Sequence, residues 1–241
     1  MTLVDLGPLT AGHIRRRYKR FLADVELQGG QVIIAHCPNT GSMESCWAPG
    51  KRVELSFSDN PRRKLPWTLE RVDMGQGWVG VNTARVNGVI AAAIREQRIP
   101  ALRGYRRIRH EPSITVDGYP PSRFDLALGG GNHADAFVEI KNATLLRGDV
   151  VQFPDAVTVR GLKHLNLLMH VVENGCRGVL VFAVNRPEGK CFEPAWSVDP
   201  VYAARLEEVV GRGVEVVAVR VRHTRTGIDI AGSTSHRVDY C

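Results

Sequence analysis

Two hydrophobic rhythms meet near residue 84, and this break constrains the fold more than any other feature of the chain. Before it, short alternating runs recur between turn signals. Phe21-Leu22-Ala23-Asp24-Val25-Glu26-Leu27 alternates, Gly29-Gly30 turns, and Gln31 to Ala35 is β-branched. Val53-Glu54-Leu55-Ser56-Phe57 alternates again, Asp59-Asn60-Pro61 breaks it, and Trp67 to Val72 and Trp78 to Val81 follow. Alternation with period two puts successive side chains on opposite faces of a sheet. About five short strands at this spacing predict a small barrel or open sheet rather than a helical unit.

The second rhythm begins with Val86, Val89, Ile90, Ala93, Ile94 and Gln97 at helical spacing, stopped at Ile99-Pro100. Strand-like runs follow at Ile108 to Val116, Phe124 to Leu128, Ala136 to Ile140 and Val179 to Val184, with a last one at Val214 to Val221. Leu162 to Asn174 and Tyr202 to Val210 read as helices, closed by Gly175 and Gly211 where helix stops belong. Strands and helices alternating in this way predict an α/β unit with a mixed sheet. The expected organisation is therefore an OB-like β-barrel over 1–83 and an α/β domain over 84–241, α+β overall. The joint is not rich in Pro, Gly or Ser, so the two parts should pack together.

Charge narrows the functional classes. The chain carries 32 Lys+Arg against 25 Asp+Glu, a formal charge of +7, which favours a polyanionic partner through counterion release. Cys37, Cys46, Cys176, Cys191 and Cys241 form no C-x-x-C pair, so the expectation is thiols in a reducing compartment rather than a zinc site or disulfide framework. MTLVDLGPLT lacks a signal-peptide layout, and no stretch approaches the ~20 apolar residues of a membrane span. A cytoplasmic protein with no membrane partner is expected; a homodimer is compatible with the sequence.

The chemistry concentrates in one strand pair. Ser122-Arg123-Phe124-Asp125 opens a strand, Gly129-Gly130-Gly131-Asn132-His133 offers a hairpin turn, and Val138-Glu139-Ile140-Lys141 returns. Glu139 and Lys141 share one face while Val138 and Ile140 take the other, and a hairpin brings Asp125 beside them. Two carboxylates can hold a hard cation such as Mg²⁺ or Mn²⁺. Such an ion polarises a phosphodiester and acidifies a bound water, and Lys141 stabilises charge on the phosphorane. Asp125, Glu139 and Lys141 are the candidate catalytic residues, the first two as metal ligands.

This D…E-x-K order resembles the active site of the restriction-endonuclease-like PD-(D/E)XK nucleases. Longer segments resemble the sugar fermentation stimulation protein A (SfsA) family: Arg17-Tyr18-Lys19-Arg20-Phe21-Leu22-Ala23-Asp24, Ala35-His36-Cys37-Pro38-Asn39-Thr40-Gly41-Ser42-Met43, Asn60-Pro61-Arg62-Arg63-Lys64-Leu65, Trp78-Val79-Gly80-Val81-Asn82-Thr83, Val138-Glu139-Ile140-Lys141-Asn142-Ala143-Thr144-Leu145 and Phe153-Pro154-Asp155-Ala156-Val157-Thr158, then Arg160-Gly161 and Lys163-His164-Leu165. They span about residues 15 to 221. The resemblance implies an N-terminal OB-like domain, a restriction-endonuclease-like domain, DNA binding, and a link to regulation of sugar, notably maltose, metabolism. The chain departs from the family pattern in two places. The acid expected two residues after Lys-His-Leu is Leu167, and Pro112-Ser113-Ile114 replaces a Tyr-Gly segment after Glu111.

Cations beside aromatics suit phosphates beside bases. Arg15, Arg16, Arg17, Lys19 and Arg20 flank Tyr18 and Phe21, and Arg62, Arg63 and Lys64 lie close to Trp67. Arg160 and Lys163 join them as candidate DNA-binding residues. Asp155, Glu111 and His164 are accessory candidates, each with a plain structural alternative: a turn or helix cap, a surface ion pair, and a structural histidine. No Walker loop, dinucleotide fingerprint or G-x-S-x-G elbow occurs. Two readings stand at this point: a Mg²⁺-dependent DNA nuclease, or a DNA-binding regulator that keeps the nuclease fold without turnover.

Overall fold

A computed structural model describes residues 2–116 and 118–231, together with the strand backbone of 239–240. Strand β1 (Val4–Asp5) is followed by the barrel strands β2 (Leu9–Tyr18), β3 (Leu22–Leu27), β4 (Val32–His36), β5 (Arg52–Phe57), β6 (Trp67–Asp73) and β7 (Trp78–Gly80). The ladder runs β4-β3-β2-β5-β6-β7, and a parallel β4–β6 pairing closes five of these strands into a barrel. The alternation read in the sequence is the barrel's inside and outside: Val53 and Leu55 are buried while Glu54 and Ser56 are not. Ile14, Val25, Ala35, Leu69 and Val79 fill the same core, and the loop after β4 contributes Met43 and Cys46.

The α/β unit opens with α1 (Val86–Arg95), then β8 (Arg107–His110), β9 (Ser113–Ile114), β10 (Ser122–Arg123), β11 (Leu126–Gly129), β12 (Ala136–Ala143), β13 (Leu145–Arg147) and β14 (Val150–Phe153). It continues with α2 (Val159–Glu173), β15 (Arg177–Val184), β16 (Cys191–Pro194), α3 (Pro200–Gly211), β17 (Glu215–His223), β18 (Gly227–Ile230) and β19 (Asp239–Tyr240). Its main sheet, ordered β1-β18-β17-β15-β12-β11-β8, is mixed: β12, β15 and β17 run parallel and the flanks antiparallel. The central strand β15 is almost wholly buried, as a strand covered on both faces must be. α1 packs on one face through Val89, Ile90 and Ile94. α2 and α3 cover the other through Leu165, Leu168, Tyr202 and Leu206. Both are capped where sequence rules place caps: Thr158 accepts from the Gly161 N–H, and Asp199 from the Tyr202 N–H ahead of Pro200.

Three expectations need correction, and one stretch read only for its charge is a strand. The residues before Leu9 do not all belong with the barrel, because β1 pairs antiparallel with β18 in the α/β sheet. The stretch from Ile108 to Val116 is not one strand: Glu111, at φ 47, breaks it into β8 and β9. The basic run of residues 13–20 is itself most of strand β2, whose inward positions Gly12 and Ile14 are obscured by the arginines around them. Cys37, Cys46 and Cys176 are free thiols, but Cys191 is disulfide-bonded. Cysteine spacing does not report which strands become neighbours, and β16 lies parallel to β19; Cys241 lies outside the described residues.

The two units are firmly joined. Fully buried Arg71 on β6 pairs with Glu54 and donates to the Thr224 and Arg225 carbonyls at 2.6 and 3.2 Å. The Gly80 N–H bonds the Asn185 carbonyl at 2.9 Å, and Arg186 reaches the Ser45 hydroxyl at 3.1 Å. Among the described residues no helix is long and apolar enough to cross a membrane.

Candidate active site

The expected hairpin forms. β11 and β12 pair antiparallel with Leu126 opposite Val138, across a connection that turns at Gly130 with φ +70. β12 divides its side chains as its alternation requires. Ala136, Val138 and Ile140 enter the core under α1, while Phe137 and Ala143 pack beneath α2. Glu139 and Lys141 share this second face, where α2 presents His164. The Glu139 Oε1 atom accepts from Lys141 Nζ at 2.5 Å and is hydrogen-bonded to His164 Nδ1. Lys141 Nζ and His164 Nδ1 are 3.5 Å apart. Asp125, immediately before β11, is held from two sides: Asn87 on α1 donates to Oδ1 at 2.7 Å, and the Ile140 N–H to Oδ2 at 2.7 Å.

The two carboxyls are tuned in opposite directions. Burial, reinforced by the charge of Glu139, raises the pKa of Asp125 above its ordinary value. Burial also opposes ionisation of Glu139, which is only 3% exposed. There the hydrogen bond to His164 and the charge of Lys141 together outweigh burial, so its pKa falls below the usual range. The lowered pKa favours the charged form of Glu139 in the interior, and its second oxygen, Oε2, is buried with no hydrogen-bond partner among the described residues. A buried carboxylate oxygen left unpaired is costly; a hard cation would satisfy it. Among the described residues no three His, Cys, Asp or Glu side chains converge on one point. Asp125 and Glu139 still fit an ion such as Mg²⁺, which is commonly held by one or two carboxylates, with waters and phosphate oxygens completing its shell.

These groups line a cleft of ≈ 460 Å³ between the two units. Asp125, Glu139 and Lys141 meet Asp155, Arg160 and the barrel's Arg20 there, and the Asn39–Gly41 loop forms the opposite wall. Asp155 is a clamp: its Oδ2 accepts from the Met43 N–H at 3.0 Å and the Ser42 hydroxyl at 3.4 Å. A Cβ at Gly41 would stand 2.4 Å from the Asp155 carboxylate oxygens, so only glycine permits this approach. A second hollow of ≈ 490 Å³, lined by Ser122, Arg123, Arg160, Lys163 and His164, adjoins the first at Arg160. Glu111 joins neither; it is exposed and pairs with Arg123 at 3.4 Å.

The barrel cations divide. Arg15 pairs with Glu26, and Arg16 with Asp24 at 2.6 Å, across the β2–β3 hairpin. Arg17 turns inward and ties down the Arg20, Asn39, Gly41 and Ser42 carbonyls. Arg62, Arg63 and Lys64 are exposed on the β5–β6 loop, and Lys19 and Arg20 on the β2–β3 turn.

The model described as the sugar fermentation stimulation protein RE domain matches residues 84–227, and that described as the SfsA N-terminal OB domain matches residues 16–81. The chain belongs to the sugar fermentation stimulation protein family. A sugar fermentation stimulation protein homolog from Acidithiobacillus ferrooxidans is 44% identical over 220 residues, covering 91% of this chain and 93% of the relative. One from Geobacter sulfurreducens is 47% identical over 213 residues, 88% of this chain and 89% of the relative. The solved structure of Pyrococcus furiosus SfsA in complex with Ca²⁺ matches with a TM-score of 0.87 at 26% identity, over 100% of this chain and 99% of that one.

Within this sugar fermentation stimulation fold, the departure at Leu167 is explained by packing. Leu167 is 1% exposed, inside the apolar cluster beneath α2. Asn87, Arg123 and the Asn39–Gly41 loop escaped the sequence reading as site residues. Asn87 was legible only as one polar residue in an apolar helix, and Arg123 only as the neighbour of Phe124.

Proposed function

We propose that this chain is a DNA-binding protein whose α/β unit holds a metal-dependent phosphodiester-cleaving centre made by Asp125, Glu139 and Lys141. The observation that carries the proposal is the buried Glu139, with one oxygen held by Lys141 and His164 and its Oε2 unpaired, set beside Asp125 in a cleft edged by Arg20 and Arg160. Support comes from the Pyrococcus furiosus relative, described with Ca²⁺, a cation that also prefers oxygen ligands. A bound Mg²⁺ or Mn²⁺ would supply Lewis acidity toward a phosphate and an acidified water. His164 fixes the Glu139 rotamer, while Asn87 and the Ile140 N–H fix Asp125, so both carboxylates are preorganised. The Lys141 ammonium balances charge on the phosphate oxygens. Arg20, Arg160 and Lys163 hold flanking phosphates.

The test is purified protein with single- and double-stranded oligonucleotides in Mg²⁺ or Mn²⁺. Cleavage is expected, and Lys141→Ala abolishes it while leaving binding in place. No cleavage of any substrate overturns the enzymatic part. A DNA-binding regulator without turnover is the second reading, favoured by the apolar Leu167 where the family pattern has an acid. It requires salt-sensitive binding that Glu139→Gln leaves unchanged. The family name ties either reading to sugar metabolism.

A further inference from the structure

The DNA that reaches this centre is, we infer, single-stranded, and its bases stack on Phe57 and Trp67 at the mouth of the barrel. The inference rests on the DNA reading above and adds the form of the substrate. Two independent observations carry it.

The first is the depth and size of the site. Glu139 lies at the floor of a cleft of ≈ 460 Å³ whose walls come from both units. The Asp155 bonds to Met43 and Ser42 tie one wall to the other. That volume is on the scale of a small-molecule pocket. A site of this size accepts one extended strand more readily than the two paired backbones of a duplex.

The second is an aromatic pair of which one ring is exposed and the other, Trp67, is half-buried against the barrel core. Phe57, at the end of β5, is 56% exposed, and its ring meets that of Trp67, at the start of β6, edge to face with centroids 4.8 Å apart. Phe21, in the β2–β3 turn, and Ile34, on β4, are also exposed. The strand register brings the end of β4, the start of β3, the end of β5 and the start of β6 to one end of the barrel. Cations ring this apolar surface: Arg62, Arg63 and Lys64 on the β5–β6 loop, Lys19 and Arg20 on the β2–β3 turn. Aromatic faces flanked by cations bind unpaired bases and their phosphates together, whereas a duplex keeps its base faces covered. The platform and Arg20, a cleft residue, lie at the same end of the barrel. Trp67 pairs with Ala35 of β4, β4 pairs with β3, and the turn before β3 supplies Arg20 to the cleft. Two strand spacings, about 10 Å, separate β6 from β3.

The experiment is fluorescence anisotropy of the intact protein with a labelled oligothymidylate of about 20 nucleotides and with a hairpin duplex of equal length, at two salt concentrations. Single-strand affinity is expected to exceed duplex affinity at least tenfold. Phe57→Ala should reduce single-strand affinity about five- to tenfold and leave duplex affinity unchanged, and Phe57→Tyr should restore it. Phe57 is exposed, so these variants keep the core intact. Duplex binding as tight as single-strand binding, or an unaltered single-strand affinity in Phe57→Ala, overturns this inference alone. Binding of neither probe overturns the DNA reading beneath it.

Discussion

Replacing Glu139 by Gln is the sharpest perturbation of the proposed centre, because it keeps the volume and removes only the charge. Glu139 faces Lys141 and His164, all three side chains largely buried. Breaking one partner of a buried ion pair costs about 3–5 kcal/mol. Gln keeps an acceptor for both donors, so a loss of about 2–4 kcal/mol is expected. For a chain of 241 residues each kcal/mol moves Tm by roughly 2–4 °C, so the variant should melt about 5–15 °C lower. The decisive comparison is thermal melting with and without Mg²⁺ or Ca²⁺. A cation at a hundred times its Kd stabilises the native state by about 2.7 kcal/mol, which should raise the wild-type Tm by roughly 5–10 °C. Glu139→Gln should lose that rise as well as its baseline stability. An equal cation-induced rise in the variant would refute the assignment of Glu139 as a ligand. An unchanged baseline would refute the argument that its charge is balanced in the interior.

Three further outcomes are expected. Asp155→Ala frees the Met43 N–H and unlinks the cleft walls, costing about 1–3 kcal/mol; faster amide exchange at 41–43 by mass spectrometry checks it, and unchanged exchange contradicts the clamp. His223 is held near pKa 3 by burial and by the Arg71 charge. Its folded pKa lies below the unfolded value, so the unfolded chain binds the extra proton; stability is complete above about pH 6.5 and declines as pH falls toward 3. Denaturant midpoints between pH 7 and 4 should show this decline, bounded by about 5 kcal/mol, and His223→Gln should flatten it. Charge reversal at Arg62 and Lys64 should weaken oligonucleotide binding and reduce its salt slope. Reversal of Arg16, already paired with Asp24, should change both less; equal effects would show that pairing does not decide which cations are free.

How far the sequence disclosed this site depended on whether a residue's role is local. The Asp125, Glu139 and Lys141 geometry was legible because strand alternation and a glycine turn determine which side chains share a face. The accessory candidates separate on longer-range grounds: His164 reaches Glu139 only because α2 crosses β12, while Glu111 stays outside because its own left-handed backbone turns it into solvent. The role of Asp155 was hidden, since the Met43 amide it binds lies 112 positions away. The basic run was legible as charge but not as structure; the Asp24 and Glu26 that offset Arg16 and Arg15 face them only once β2 and β3 pair. β1 carries too few residues to show a rhythm at all, and its place is set by the distant β18.

That small strand alters the chain's architecture. Since Val4–Asp5 sits in the α/β sheet, whose other strands all follow α1, the barrel is topologically an insertion, leaving and re-entering its host through two connections. A domain hung on one linker can swivel; one anchored twice can only rock about the line joining its anchors. The Arg71 contacts with the β17–β18 turn add a further tie between the units, away from both connections. Severing the chain at residues 83–84 would not release two domains, because the α/β sheet would lose its edge strand with the barrel.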